Sequence, residues 1–315
     1  MGAILLAVTG LDPKPWEERF RTLAPQRDIR IWPDRVGEPA EVAYACAWHA
    51  PNGLFARFAH LKVIFSLGAG VDHVVADPDL PDVPVVRIVD ADLTMRMTEY
   101  VVLHVLMHHR RQRRYDAQQR ARVWRELEQS AANEVAVGVM GLGVLGRDAA
   151  SALRRLGFRV AGWSRTPKTL TDVETFDGED GLDAFLRRTE ILVCLLPATA
   201  ATRGVLNLSL LRRLKREGAA GGAYLINAGR GALQVDADIL AALEEGSLAG
   251  ATLDVFPIEP LPLASPLWTH PKVTITPHNA AASDPHALVA NILRQIERFE
   301  AGLPLEQVLD RLAGY

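Results

Sequence analysis

The sequence predicts an α/β protein with two doubly wound parallel sheets, and three observations predict it. Short apolar, β-branched runs alternate with helical patterns along nearly all of the 315 residues, as parallel strands joined by crossovers require. One strand, 135–140, passes through a glycine-rich turn at 141–146 directly into a helical pattern. Several strand-like runs precede that turn, so they need a sheet of their own. With 49% hydrophobic and 23% charged residues, the chain is long and apolar enough for two domains with separate cores.

In order, 3–8 reads as a first strand, 16–23 as a helix and 28–32 as a second strand; 43–48, 63–66 and 85–88 continue the first sheet. Two places at strand ends stand out. Leu67-Gly68-Ala69-Gly70-Val71-Asp72 leaves free amides at the carboxyl end of a strand, where such sheets bind ligands. Trp48, with His49, Ala50 and Pro51 after it, either overhangs that cleft or simply packs. The stretch from 99 to about 126 is predicted as one long helix that carries the basic run 108–114 after its apolar part. That run lacks interleaved aromatics and fits a solvated or subunit-contacting face better than a nucleic-acid surface.

The second sheet begins with the apolar run Val135–Met140, followed by Gly141-Leu142-Gly143-Val144-Leu145-Gly146 and a helical pattern, then by the strand 159–163. This is a βαβ unit of ordinary length. Gly141 permits a sharp turn, Gly143 allows close approach of a pyrophosphate, and Gly146 lets the helix pack on the strand. The first-turn amides, including those of Val144 and Leu145, offer an anion site at the positive helix end. The alternative is that the glycines serve packing alone. Helices at 182–188, 209–214 and 237–245 then alternate with strands at 191–196, 223–227, 250–255 and 273–276. A terminal helix over 284–301 is expected, with Ser283 as its N-cap. Topology places a first domain at 1–98 plus 283–315, interrupted by a second at 99–282.

Arg230, Glu259 and His278 each lie just beyond a strand of the second sheet, at the edge where a nicotinamide would sit. Together they suit hydride transfer to a 2-oxo acid. A protonated His278 can donate to the carbonyl oxygen, Glu259 can hold the imidazole and favour its charged form, and Arg230 can bind the substrate carboxylate.

The stretches LGAGVD at 67–72, GLGVLG at 141–146, WSRTPK at 163–168, LLPAT at 195–199, NAGRG at 227–231, LDVFPIEPLP at 253–262 and TITPHNAA at 274–281 cover nearly the whole chain. In that order they closely resemble the D-isomer-specific 2-hydroxyacid dehydrogenase family, and within it the A-type bacterial glyoxylate/hydroxypyruvate reductases. The resemblance implies a Rossmann cofactor domain inserted in a discontinuous flavodoxin-like substrate domain. It also implies Arg230 as substrate anchor, Glu259 and His278 as acid/base pair, and the amides around Gly68, Ala69 and Gly70 as carboxylate binders. Asp254 and Ala228 would lie near the nicotinamide carboxamide, with Leu196, Pro197 and Thr202 along the cofactor. Asn279 after His278, and Thr98 before Glu99, depart from the commoner family pattern.

Where an NAD enzyme places a carboxylate at the end of the second strand of this unit, the chain offers Ser164, Arg165, Thr166 and Lys168. A hydroxyl and two cations suit a 2′-phosphate, so the expected cofactor is NADP(H). The expected activity is NADPH-dependent reduction of small 2-oxo acids. The alternatives are an NAD-dependent D-2-hydroxyacid dehydrogenase with a larger substrate, and a non-enzymatic cofactor-sensing protein of the same fold. The net charge of -3 argues against general nucleic-acid affinity. The N-terminal apolar run is too short for a membrane span or signal sequence. Cys46 and Cys194 sit in separate apolar runs with no metal-ligand spacing. A cytoplasmic homodimer without metal is expected.

Overall fold

The computed structural model describes residues 2–88 and 90–311; residues 1, 89 and 312–315 lie outside the description. The chain divides into two compact units, 1–93 with 283–315 and 94–282.

The first unit starts with β1 (Ala3–Val8), α1 (Lys14–Leu23), β2 (Ile29–Ile31), β3 (Val42–Trp48), β4 (Val63–Ser66), α2 (Asp72–Val75) and β5 (Val85–Arg87). Its five strands run parallel in the order β2-β1-β3-β4-β5, the flavodoxin-like order.

Helix α3 (Ala91–His109) follows. The chain leaves the first unit after Leu93, inside this helix, where the sequence places the crossing at 98. The long helix expected over 99–126 is in fact two: α3 begins earlier, with the Leu93 N–H donating to Asp90 Oδ1 at 2.9 Å, and Arg111 at φ +55° separates it from α4 (Gln112–Ala121). His108 and His109 are buried, so the basic run is only partly a solvated face.

The second unit continues through β6 (Ala136–Met140), α5 (Val144–Arg155), β7 (Arg159–Ser164), β8 (Glu174–Asp177), α6 (Gly178–Arg188), β9 (Ile191–Cys194), α7 (Leu208–Leu211), β10 (Tyr224–Asn227), α8 (Asp236–Glu245), β11 (Gly250–Leu253) and β12 (Val273–Ile275). All seven strands are parallel, in the order β12-β11-β10-β9-β6-β7-β8. This is the dinucleotide-binding order with one further strand at the edge. The order reverses between β6 and β9, which puts the switch point beside the glycine turn. Helix α9 (Pro285–Glu300) is the last helix among the described residues and returns the chain to the first unit. Its N-cap is Asp284, whose carboxylate accepts from His286 N–H at 2.8 Å, and not Ser283.

Both sheets are covered on both faces, which is why their strands read as continuous apolar runs. In β1, Ile4, Leu6 and Val8 join one core while Leu5 and Ala7 join the other. In the second unit Val137 and Val139 face one core, and Met140 and Leu192 the other. Each such side chain contributes about 1.5–3 kcal/mol of transfer free energy. Helix α9 packs Leu288, Val289, Ile292 and Ile296 onto the first sheet. Arg27 clamps its end by two bonds to Glu300 (2.7 and 2.6 Å), and Tyr44 donates to the same carboxylate at 3.1 Å. Burial, with the Glu300 charge, pushes the Tyr44 hydroxyl up to about 12. Cys46 and Cys194 are buried free thiols. Among the described residues no helix is long and apolar enough to cross a membrane.

Candidate active site

The glycine turn lies at the switch point of the second sheet. Gly141 has φ +108°, and a Cβ there would come within 2.8 Å of the Leu195 carbonyl oxygen, so only glycine passes between β6 and the end of β9. At Gly146 a Cβ would lie 1.9 Å from the Gly141 oxygen, whereas at Gly143 nothing stands within 4 Å. The exposed Gly143 precedes a twelve-residue helix whose start carries no side-chain cap. First-turn amides of such a helix lack intrahelical acceptors. An open approach and unspent donors fit a dinucleotide pyrophosphate.

At the end of β7, Arg165, Thr166 and Lys168 are exposed, while Ser164 is buried. The Ser164 hydroxyl donates to the Thr166 carbonyl at 2.8 Å, so it shapes the turn that presents the two cations. Thr202 behaves alike after β9: its hydroxyl donates to Pro197 O at 2.7 Å and accepts from Thr199 N–H at 2.8 Å. Leu196 and Ala228 are buried, and each follows the end of its strand.

Arg230 sits on the loop after β10. Asn227, fully buried, holds that loop: its amide donates to Gln234 Oε1 (2.8 Å) and Arg230 O (3.2 Å), and its oxygen accepts from Gly229 N–H (3.1 Å). Gln234 in turn donates to Asp236 at 2.8 Å. Burial raises the Asp236 carboxyl above its ordinary value, against the pull of that bond. The Arg230 guanidinium donates to Gly229 O at 2.8 Å.

The Glu259 and His278 side chains meet beyond β11 and β12, with His278 Nδ1 2.7 Å from Glu259 Oε2. Glu259 Oε1 accepts from Phe256 N–H at 2.8 Å. Burial pushes the Glu259 carboxyl up, but the hydrogen bonds from His278 and Phe256 N–H and the charges of His278 and Arg230 outweigh it, and the net direction is down. An ionised carboxylate only accepts, so the proton of this bond belongs to Nδ1, and Nε2 is the ring nitrogen that Glu259 does not engage. His278 has φ +52°, uncommon for a residue with a Cβ, and its N–H is held by Asp254 O (2.8 Å) and Thr276 O (3.1 Å).

Asp254 is 1% exposed. Its carboxylate accepts from Thr276 Oγ1 (2.6 Å), Asn279 N–H (3.0 Å) and Ala280 N–H (3.0 Å). The family resemblance implies Asp254 beside a nicotinamide; the structure shows its carboxylate bracing the His278 turn. Asn227, Gln234, Thr276 and Tyr100, which sequence alone does not single out, join these networks. Their signal was polarity inside otherwise apolar stretches.

In the first unit, the Trp48 ring lies where a side chain at Gly68 would go, its Cζ3 2.8 Å from the Cβ position. The indole meets His49 edge-on at 5.1 Å and His73 at 5.4 Å. Ser66 Oγ donates to Gly70 O at 2.7 Å and fixes the Gly68-Ala69-Gly70 turn.

Comparison with known proteins agrees with this geometry. The family model described as D-isomer specific 2-hydroxyacid dehydrogenase, NAD binding domain, matches residues 102–280. A glyoxylate/hydroxypyruvate reductase A of Yersinia enterocolitica is 40% identical over 310 residues, covering 96% of this chain and 97% of its own. A solved NADPH-dependent glyoxylate/hydroxypyruvate reductase of Sinorhizobium meliloti, in complex with NADP and sulfate, is 47% identical with a TM-score of 0.96, and all of both chains is covered. A probable 2-hydroxyacid dehydrogenase of Rhizobium etli, solved with NADP, HEPES and L(+)-tartaric acid, is 48% identical with a TM-score of 0.94, over 100% of this chain and 99% of that one. A histidine–carboxylate pair beyond the strand ends of a dinucleotide-binding sheet thus coincides with end-to-end similarity, and the chain belongs to the D-isomer specific 2-hydroxyacid dehydrogenase family.

Proposed function

We propose that the chain is an NADPH-dependent reductase of small 2-oxo acids, converting glyoxylate to glycolate and hydroxypyruvate to D-glycerate. The observation that carries this is the His278–Glu259 pair at 2.7 Å, with the Arg230 charge close enough to help hold Glu259 ionised. A cofactor-sensing protein needs no such set. NADPH, when bound, supplies the hydride to the carbonyl carbon. Gly141, Gly143, Val144, Leu145 and Gly146 hold its pyrophosphate, and Arg165, Thr166 and Lys168 its 2′-phosphate, on the turn shaped by Ser164. His278 delivers the proton from Nε2 to the carbonyl oxygen as negative charge develops there, while Glu259 keeps the ring oriented through Nδ1. Arg230 grips the substrate carboxylate with its fork of donors; in the first unit, the amides at Gly68, Ala69 and Gly70 are donors suited to a group of the same kind. Loss of NADPH absorbance on adding glyoxylate or hydroxypyruvate tests the assignment; no turnover with either substrate would remove it.

The Trp48 indole forms the wall that keeps the preferred substrates small. Trp48→Ala should shift the kcat/KM ranking of glyoxylate against longer 2-oxo acids by about 10-fold, the discrimination typical of one or two methylenes. An untouched ranking would reduce Trp48 to packing.

The enzyme is a homodimer of the reducing cytoplasm, where Cys46 and Cys194 stay thiols. In the second unit Met95 and Leu103 on α3 are each 54% exposed, and Trp124, after α4, is fully exposed. Exposed apolar groups of this size mark an interface. Light scattering should give twice the 34.5 kDa chain mass; a monomer at micromolar concentration would refute the dimer.

A further inference from the structure

The geometry points to Tyr100, on helix α3 and remote in sequence from every catalytic group, as a positioning residue for His278, acting through Thr276 and Asp254. This rests on the assignment of His278 as the proton donor.

The direction of the chain of bonds follows from what each group can do. The Tyr100 hydroxyl lies 2.7 Å from Thr276 Oγ1, and Thr276 Oγ1 lies 2.6 Å from Asp254 Oδ1. A carboxylate accepts only, so Thr276 spends its single proton on Asp254. Tyr100 must then donate to Thr276. Burial and the Asp254 charge push the Tyr100 hydroxyl well above its ordinary value, and the donor therefore stays neutral. His104 stacks on the Tyr100 ring at 4.0 Å and its Nδ1 bonds the Tyr100 carbonyl at 2.8 Å. The ring is thereby fixed from behind.

At the other end, Asp254 supplies nearly all that holds the His278 turn. Its main-chain oxygen accepts from His278 N–H, and its carboxylate accepts from the next two amides, Asn279 and Ala280. A histidine at φ +52° persists only where its surroundings enforce that conformation. Tyr100 sets the Thr276 rotamer, Thr276 orients the carboxylate, and the carboxylate fixes the turn from which the imidazole projects. Removing the phenol oxygen loosens the last link without touching substrate or cofactor.

The test is a double-mutant cycle with glyoxylate and NADPH. Tyr100→Phe should lower kcat by about 10-fold, of the order expected for a sub-ångström misplacement of a catalytic group. It should leave KM for NADPH unchanged and enlarge the solvent deuterium isotope effect on kcat, because proton delivery becomes slower. Thr276→Val should lower kcat at least as far, and the double variant should be no slower than Thr276→Val alone, since coupled residues are not additive. Thr276→Ala replaces Thr276→Val in the cycle if the latter does not fold. An unchanged kcat and isotope effect in Tyr100→Phe, or additive losses in the double variant, would overturn the inference. Absence of turnover in the unmodified protein would instead remove the reductase assignment.

Discussion

His278→Ala should lower kcat/KM for glyoxylate by about 10²- to 10⁴-fold, the usual contribution of a positioned general acid. Arg230→Ala should cost a comparable factor, because it removes both the carboxylate clamp and a charge next to the reacting centre. Glu259→Gln is the more informative change. The folded protein holds the Glu259 carboxyl below its ordinary value of 4.5, so it is ionised at neutral pH. A depressed carboxyl contributes stability that is present above the unfolded value and lost as pH falls through the folded one. The carboxylate is therefore in place across the neutral range. Glutamine keeps the shape and removes the charge paired with His278 Nδ1. Glu259→Gln should lower kcat while some activity remains, with KM for NADPH unchanged. An unchanged kcat would break the pairing of Glu259 with His278.

NADPH should be preferred over NADH by on the order of 10-fold to several hundred-fold in kcat/KM, or roughly 1.4 to 3.5 kcal/mol of transition-state binding. Arg165 and Lys168, both exposed on the turn after β7, carry the charge that would meet a 2′-phosphate. Ser164 carries none and holds the turn through its bond to Thr166 O. Ser164→Asp combined with Arg165→Ala puts a carboxylate where a ribose 2′-hydroxyl can donate to it and removes one cation. The preference should vanish or reverse, with kcat on the favoured cofactor little changed. Equal use of both cofactors by the unmodified enzyme would refute the assignment to this turn.

The buried strands were legible in the sequence because both faces of each sheet are covered, so an apolar run from Val63 to Ser66 or Ile191 to Cys194 has no other stable fate. Strand β8 was not. Glu174, Thr175, Phe176 and Asp177 form a sheet edge with only its middle half-buried, and that leaves no apolar run to recognise. The break at Arg111 was hidden for a different reason: an arginine at φ +55° has no local sequence signature, since most left-handed positions are marked by glycine or asparagine. Strand ends located the site, since Arg230, Glu259 and His278 each follow one. What sequence position cannot convey is where a polar side chain points. Ser164 and Thr202 lie at the expected loops, yet the hydroxyl of each donates within its own loop, while Asp254 reaches across to the His278 turn, and the network from Tyr100 to that turn joins residues far apart in the chain.

Gly231 has a consequence for how this enzyme can be altered. A Cβ there would lie 1.9 Å from the Phe256 carbonyl oxygen and 2.6 Å from Pro257 N, so the segment bearing Arg230 and the segment bearing Glu259 touch main chain to main chain. Neither can be redrawn alone. A loop of different length or sequence grafted in at 228–231 from a distant relative would meet a rigid neighbour instead of solvent, and the same holds for one grafted at 255–259. The substrate anchor and the histidine's carboxylate partner are in effect inherited as one cassette, and an engineer seeking a new substrate must exchange the two segments together or work at positions, such as Trp48, that lie outside it.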